Sequence, residues 1–186
     1  LVVNARHMKN VPGRKTDMRD AQWIATLLRA GLLKGSFIPD KTFRELRHLT
    51  RYRKSIVHDI TAQKNRIDKF LQSSGFRFTA FLSDAFGASG RNIIRHLMEY
   101  GSISREALDR CLKTQTRKRI DEILIALNGS LSEHQRNFLR MIFGHLEALE
   151  QHRHTVEDAI TEEITKHEEA LRLLCSIPGI DVTAAA

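Results

Sequence analysis

The chain has 186 residues, of which 41% are hydrophobic and 28% charged, with three prolines and a formal net charge of +8. That length allows one medium domain or two small ones, and the composition is that of an ordinary water-soluble fold. No uninterrupted apolar run approaches the roughly 18 residues of a membrane span, and no basic-then-apolar leader opens the chain. Cys111 and Cys175 lie far apart in sequence and form no metal-type pair, so free thiols in a reducing cytoplasm are expected. The chain begins Leu1-Val2-Val3 without methionine and closes on Ile177-Pro178-Gly179-Ile180 and an Ala-rich stretch. The expectation from these ends is a fragment of a longer protein.

The positive charge is concentrated. Residues 1–72 hold 16 Lys and Arg against 6 Asp and Glu, a balance of +10, whereas residues 73–186 hold 14 against 16, a balance of −2. This asymmetry favours a polyanionic partner for the N-terminal part, with plain solubility as the alternative.

In chain order, Leu1 to Ala5 reads as a short strand. The turn Pro12-Gly13 follows, and then a helix with Thr16 as N-cap and Asp17 in its first turn. The helix runs through Trp23, Ile24, Leu27 and Leu28 and stops near Gly31. At 100° per residue, Ala21, Ile24, Leu27 and Leu28 share one face, and Asp17 and Asp20 lie on it too. An unpaired carboxylate on a buried stripe is costly, so a cation is expected there, a divalent metal being the natural one. The alternative is an N-terminal pair that merely suits the helix dipole.

Ser36-Phe37-Ile38-Pro39 breaks the helical pattern, and Asp40 can cap the next helix. In that long helix Leu46, Leu49, Arg53, Ile56, Ile60, Gln63, Ile67 and Phe70 alternate spacings of three and four, a heptad seam with two polar interruptions. It ends at Ser73-Ser74-Gly75. Gly87-Ala88-Ser89-Gly90 reads as a turn, and three short helices are expected at 92–100, 104–112 and 117–127, with Ser102 and Ser104 as caps and Asn128-Gly129 as a stop. A second long helix starts near Ser132. Its seam is Leu139, Ile142, Leu146, Leu149, Arg153, Val156, Ile160, Glu163, His167, Ala170 and Leu174. Its middle is acidic, with Glu147, Glu150, Glu157, Asp158, Glu162 and Glu163 against Arg153. The fold class expected is mainly α: two long coiled-coil-type helices, about 41–72 and 132–173, with a cap of short helices. The pattern allows antiparallel pairing within one chain or pairing between chains.

The stretch Val11-Pro12-Gly13-Arg14-Lys15-Thr16-Asp17-Met18-Arg19-Asp20-Ala21, then Leu27-Leu28-Arg29-Ala30-Gly31-Leu32-Leu33 and Ser36-Phe37-Ile38-Pro39, resembles the DEDD-type insertion-sequence transposases. Residues 46–53, Leu-Arg-His-Leu-Thr-Arg-Tyr-Arg, resemble the start of that family's central helical segment, and Leu174-Cys175-Ser176-Ile177-Pro178-Gly179-Ile180 the entry to its C-terminal domain. The resemblance implies a RuvC-like, ribonuclease-H-type α/β domain in which three Asp and one Glu surround divalent metal, Mg²⁺ above all. Asp17 and Asp20 match the last two Asp of that set, as catalytic and metal-binding residues. The first Asp, the Glu and the family's serine nucleophile would lie outside the chain. It further implies a bacterial or archaeal cytoplasmic protein that recombines DNA under the guidance of a structured RNA. Residues 1–39 would be the remnant of the catalytic domain, 40–173 the helical coiled-coil domain, and 174–186 the start of the serine domain.

The basic residues divide into two groups. Arg14 and Lys15 sit beside the acids, where a nucleic-acid backbone would pass. Their alternative role is local charge balance. Arg44, Arg47, Arg51, Arg53, Lys54, Lys64, Arg66 and Lys69 form a basic face or collar on the first long helix, with Tyr52 available for stacking. The competing role is pairing with the acidic second helix, and Arg53 and Gln63, inside the seam, are expected to set register. Ile177-Pro178-Gly179-Ile180 reads as a helix-breaking turn, and His145, His152 and His154 as ordinary helix residues rather than zinc ligands. Expected partners are DNA, a guide RNA and a second copy through the coiled coil, with no membrane. The alternative function is a non-catalytic helical nucleic-acid-binding or dimerisation module.

Overall fold

The computed structural model describes residues 2–3 and 17–185, with the backbone alone for 17–20 and 183–184. The chain divides into two compact units, residues 1–45 and 46–186. In the first unit, helix α1 spans Asp17–Arg29. It ends at Gly31, whose φ of +70° takes the left-handed conformation that suits glycine at a helix C-terminus. Residues 32–40 carry no regular structure. Val2 accepts a hydrogen bond from the Ser36 amide at 2.7 Å, and Val2 and Val3 form no strand. The rest of the expected strand at 1–5, and the Thr16 cap, lie outside the described residues.

Helix α1 keeps its expected bounds but not its expected burial. Leu27 is buried, whereas Ile24 and Leu28 are 38% and 52% exposed. The described part of this unit offers little more than one helix and an extended segment, too little surface to cover a whole helical face. The stripe that was to carry the two aspartates inward is therefore narrower than the periodicity predicts.

Helix α2 runs over Lys41–Ser73, starting in the first unit and continuing through the second. Asp40 caps it, its Oδ1 accepting from the Phe43 amide at 3.1 Å. In the second unit a 3₁₀ turn at Phe78–Phe81 leads to α3 (Ala88–Tyr100), α4 (Arg105–Cys111), the single-turn α5 (Thr114–Arg117) and α6 (Ile120–Ala126). Helix α7 (Glu133–Thr165) is the second long element, followed by α8 (Glu168–Cys175) and the short α9 (Val182–Ala185). The fold is mainly helical, with no strand beyond an isolated antiparallel bridge between Phe76 and Leu127 among the described residues.

Helices α2 and α7, each of 33 residues and so about 50 Å long, run antiparallel within the one chain. The cross-links show the direction: Arg53 meets Glu157, whereas Gln63, further along α2, meets Ile142, earlier on α7. The predicted seam is the buried one. Leu46, Ile56, Ile60, Gln63 and Ile67 are buried on α2, and Leu139, Ile142, Leu146, Val156 and Ile160 on α7. Burial of this stripe, at about 25 cal/mol per Å² of apolar surface, is the main stabilising term for the pair. Helix α3 packs on α7, α4 on α3, α6 on α4, and the 3₁₀ turn on α6. Together they close a core of Phe76, Phe78, Ile93, Ile94, Leu108 and Phe143 at the Ser73 end of α2.

Three local expectations change. The second long helix stops at Thr165 rather than near 173. Ile164 is buried where the three-four pattern had put Glu163, the backbone turns at Lys166–His167, and α8 places Leu171 against the core while Ala170 and Leu174 stay exposed. Gly87-Ala88-Ser89-Gly90 is the start of α3, not a turn. Gly90 sits inside it because a Cβ there would lie 1.8 Å from the Ala85 carbonyl oxygen. The third short helix is broken into α5 and α6. Ser104 caps α4 through the Ala107 amide at 3.3 Å, and Ser132 forms a reciprocal capping box with Gln135 at the start of α7. At the other end, Ile177-Pro178-Gly179-Ile180 is a turn closed by the Ile180 amide on the Ile177 carbonyl at 3.1 Å, with Gly179 at φ +88°.

Two glycines hold the end of α2 against the end of α6. Gly75 has φ +88°, and a Cβ on Gly129 would lie 2.2 Å from the Ser74 carbonyl oxygen and 2.7 Å from the Phe76 ring. Gly129→Ala must push backbone off a fully buried phenylalanine. We expect it to destabilise the second unit by about 2 kcal/mol or more, within the range for overpacking, read as a fall in the midpoint of urea unfolding with the slope unchanged.

Candidate nucleic-acid interface and carboxylate pair

The backbone of α1 places Asp17 and Asp20 at positions one and four of the helix. Their i, i+3 spacing puts both on one face of its first turn. Hard divalent cations take oxygen ligands of this kind, so the chemistry of the pair suits Mg²⁺. Two carboxylates are only part of a coordination shell, and among the described residues no group of three or more His, Cys, Asp or Glu side chains comes together as a metal site. Arg14 and Lys15 lie outside the described residues.

The cations of α2 fall into two sets that sequence periodicity alone did not separate. The first set makes bonds within the fold, Arg66 doing so from an exposed position. Arg53 is half-buried and binds Glu157 Oε1 through Nε and one terminal nitrogen, both at 2.8 Å. Lys64 lies 3.8 Å from Glu150, and Arg66 donates to Gln63 Oε1. Gln63, 2% exposed, donates in turn to the Ile142 carbonyl at 2.6 Å. Arg53 and Gln63 thus hold the register between α2 and α7, as expected for polar residues inside a heptad seam.

The second set faces solvent. Arg44, Arg47, Arg51, Lys54 and Lys69 are exposed, and no side-chain hydrogen bond or ion pair is found for them among the described residues. Arg47, Arg51 and Lys54 lie opposite the buried Ile56, Ile60 and Ile67. His58, also exposed, continues them at the same spacing of four, three and four. At 100° per residue these four fall within about 60° of one another. No acidic residue interrupts the stripe. His58 extends the stripe beyond its Lys and Arg residues, at a spacing legible in the sequence. Tyr52 is on a different flank, its hydroxyl 2.8 Å from His152 Nε2 and the two rings edge to face.

The acidic face of α7 does less to neutralise α2 than its composition suggests. Glu150 takes a bidentate contact from Arg91 of α3 at 2.7 and 2.8 Å, and Glu147 pairs with Arg95. Both guanidinium groups also lie over the Phe143 ring, at 5.8 and 6.0 Å from its centroid. Arg136 and Arg140 donate to the Glu99 and Met98 carbonyls at the C-terminal end of α3, where cations suit the dipole. In the cap, the Arg105 guanidinium beside Asp121 holds its carboxyl below the usual carboxylate range. Burial pushes the Cys111 thiol up, which makes it a poor nucleophile. No helix among the described residues is long and apolar enough to cross a membrane.

Residues 1–75, which include α1 and all of α2, match a transposase family model, DEDD_Tnp_IS110. The chain is also similar to "Putative transposase y4qE" of Sinorhizobium fredii (strain NBRC 101917 / NGR234), with 36% identity over 61 residues. That alignment covers 33% of this chain and 16% of the relative, so the chain spans only a small part of that protein. No solved structure gives a significant match. Both matches are to transposases.

The Gln63 contact gives a direct test of how the two long helices are held. Gln63→Ala leaves the Arg66 guanidinium without its partner and opens a void in the seam. We expect a loss of about 2–3 kcal/mol in unfolding free energy. Gln63→Leu, which refills the volume, is expected to recover most of that loss while relaxing register, seen as broadened amide resonances along α2 and α7.

Proposed function

We propose that the chain is part of a DNA transposase that acts by metal-dependent strand cleavage and transfer. In this reading Asp17 and Asp20 are catalytic and hold Mg²⁺ with carboxylates supplied from outside the chain. The carrying observation is that the stretch matching the transposase family, residues 1–75, has both aspartates on the first turn of a helix, three apart. Phosphodiester transfer needs charge neutralised on the phosphate and an activated attacking oxygen, and bound Mg²⁺ supplies both. The protein groups then have to hold the ion, position the strand and keep its backbone from drifting. Arg14 and Lys15, next to the aspartates in sequence, suit contacts to the flanking phosphates.

Nucleic-acid binding extends in this reading along α2. Arg44, Arg47, Arg51, Lys54 and Lys69 contact the phosphate backbone, while Arg53, Lys64 and Arg66 serve mainly to fix the helix pair that presents them. The supporting observation is that the first group is exposed and the second is engaged within the fold. A structured RNA and a second copy of the chain are further partners in this proposal, and the cytoplasm of a bacterium or archaeon its setting. A purely non-catalytic binding module is less well supported, because the family match takes in both aspartates.

In the full-length protein, Asp17→Ala and Asp20→Ala should each abolish recombination and leave DNA binding within about threefold, since an acidic ligand contributes little to phosphate affinity. Recombination at wild-type level in either variant would contradict the proposal. In this reading the 186-residue chain alone leaves supercoiled DNA intact in Mg²⁺, and nicking by the pure chain would contradict it.

A further inference from the structure

A cavity of about 570 Å³ lies between α2 and α7, reached by the N-terminal end of α9. Its size is within the range of small-ligand sites. Val57, Ile160, Ile164 and Val182 give it apolar walls. Its polar groups are of both kinds: the Arg53 guanidinium can donate, the Glu157 carboxylate can accept, and Thr50 and Thr161 carry hydroxyls. Arg53 and Glu157 are already bonded to each other and roughly a quarter exposed, so they form a fixed polar edge rather than a pair of mobile ends. Among the described residues no aromatic side chain lines the cavity.

The cavity is joined to the cationic stripe by one residue. Lys54 belongs to the stripe with Arg47, Arg51 and His58, and it is also at the cavity's rim. On the helical wheel of α2, Thr50 and Val57 lie between that stripe and the buried seam, while Tyr52 lies on the opposite flank. A strand whose phosphates follow Arg47, Arg51 and Lys54 passes this opening at Lys54, with Tyr52 on the other flank of the helix. An unpaired base has what the opening offers: two apolar faces for the Val57 and Ile160 walls and an edge of mixed donors and acceptors for Arg53 and Glu157. The charge balance fits the attached phosphate, with Arg53 and Lys54 at the cavity against Glu157 alone.

We propose that this cavity receives one unpaired nucleobase from a nucleic-acid strand held along the α2 stripe. The inference rests on the nucleic-acid reading of that stripe and deepens it: the interface takes single-stranded or locally melted nucleic acid, with one base withdrawn from its stack. DNA and RNA present the same base chemistry to this cavity.

The test uses the 186-residue chain and single strands of about twelve nucleotides, within the span one protein module covers. Each strand carries 2-aminopurine at one position, made in DNA and in RNA. Binding is followed by anisotropy and the fate of the base by fluorescence. Because the cavity has no aromatic wall, withdrawal of the base from its neighbours is expected to raise the fluorescence severalfold on binding. An abasic site at the responsive position should weaken binding about tenfold, equivalent to about 1.4 kcal/mol. Val57→Phe and Thr161→Phe fill the cavity from α2 and from α7 at partly or fully exposed positions. Each should remove the fluorescence rise and lower affinity to that of the abasic strand. Circular dichroism and the unfolding midpoint identify a variant that fails to fold, and the other variant then decides. If strands bind but the fluorescence does not rise, or rises equally in both filled variants, the cavity is not a base site. If no strand binds by anisotropy, the underlying reading of the stripe fails, which is a different result. A response confined to the DNA arm or to the RNA arm identifies the source of the base.

Discussion

The amide of Gln63 is the contact on which the arrangement of the second unit turns. It is the buried polar side chain of the seam and reaches across to a carbonyl in the middle of a facing helix. An amide without a partner in that place costs roughly 1–3 kcal/mol, so sliding α2 along α7 by a residue in either direction is opposed. With register fixed there, Arg53 falls opposite Glu157 and Lys64 opposite Glu150. The same register decides which cations are left over. Those on the far side of α2 meet no anion among the described residues, and they are exposed as a continuous stripe.

This division of labour explains why so basic a helix can pair with a helix of opposite charge without neutralising it. Two of the cations on α2 reach glutamates of α7. Glu150 is shared with Arg91 of α3, and Glu147 pairs with Arg95 of the same helix, both guanidinium groups lying over the Phe143 ring. The cap thus competes with α2 for negative charge. Partly buried pairs of this kind specify geometry more than they add stability, while the apolar seam and the Phe76, Phe78 and Phe143 cluster supply most of the latter.

Much of this architecture was legible in the sequence. The two long helices, the seam with its two polar interruptions, the Asp40 and Ser104 caps and the stop at Asn128-Gly129 follow from periodicity and turn chemistry, which act locally. What periodicity cannot carry is the competition between distant groups. Gly87 to Gly90 reads as a turn by composition, but Gly90 is there because Ala85 passes too close for a Cβ. Likewise the seam of α7 follows the heptad only as far as Val156 and Ile160. Beyond them the chain gives up its helix at Thr165 so that Ile164 and Leu171 both reach the core. The sorting of Arg47, Arg51 and Lys54 from Arg53, Lys64 and Arg66 needed the partner helix, because the two groups are equally basic in sequence. The aspartates stand apart. Their spacing and helical setting were readable at once, and no cluster of three or more metal-ligating side chains forms among the described residues.

The most direct test of this account compares the two sets of cations under varied salt. Binding of a labelled DNA duplex is measured as a function of salt concentration alongside the unfolding midpoint, for Arg47→Ala with Arg51→Ala and for Arg53→Ala with Lys64→Ala. The account expects the first pair to lower the slope of log affinity against log salt by about 1.8, for two lost phosphate contacts, with the unfolding midpoint nearly unchanged. The second pair is expected to lower the unfolding midpoint and leave the slope near that of the parent chain. Equal effects of both pairs on the slope, or a stability loss confined to the first pair, would contradict it.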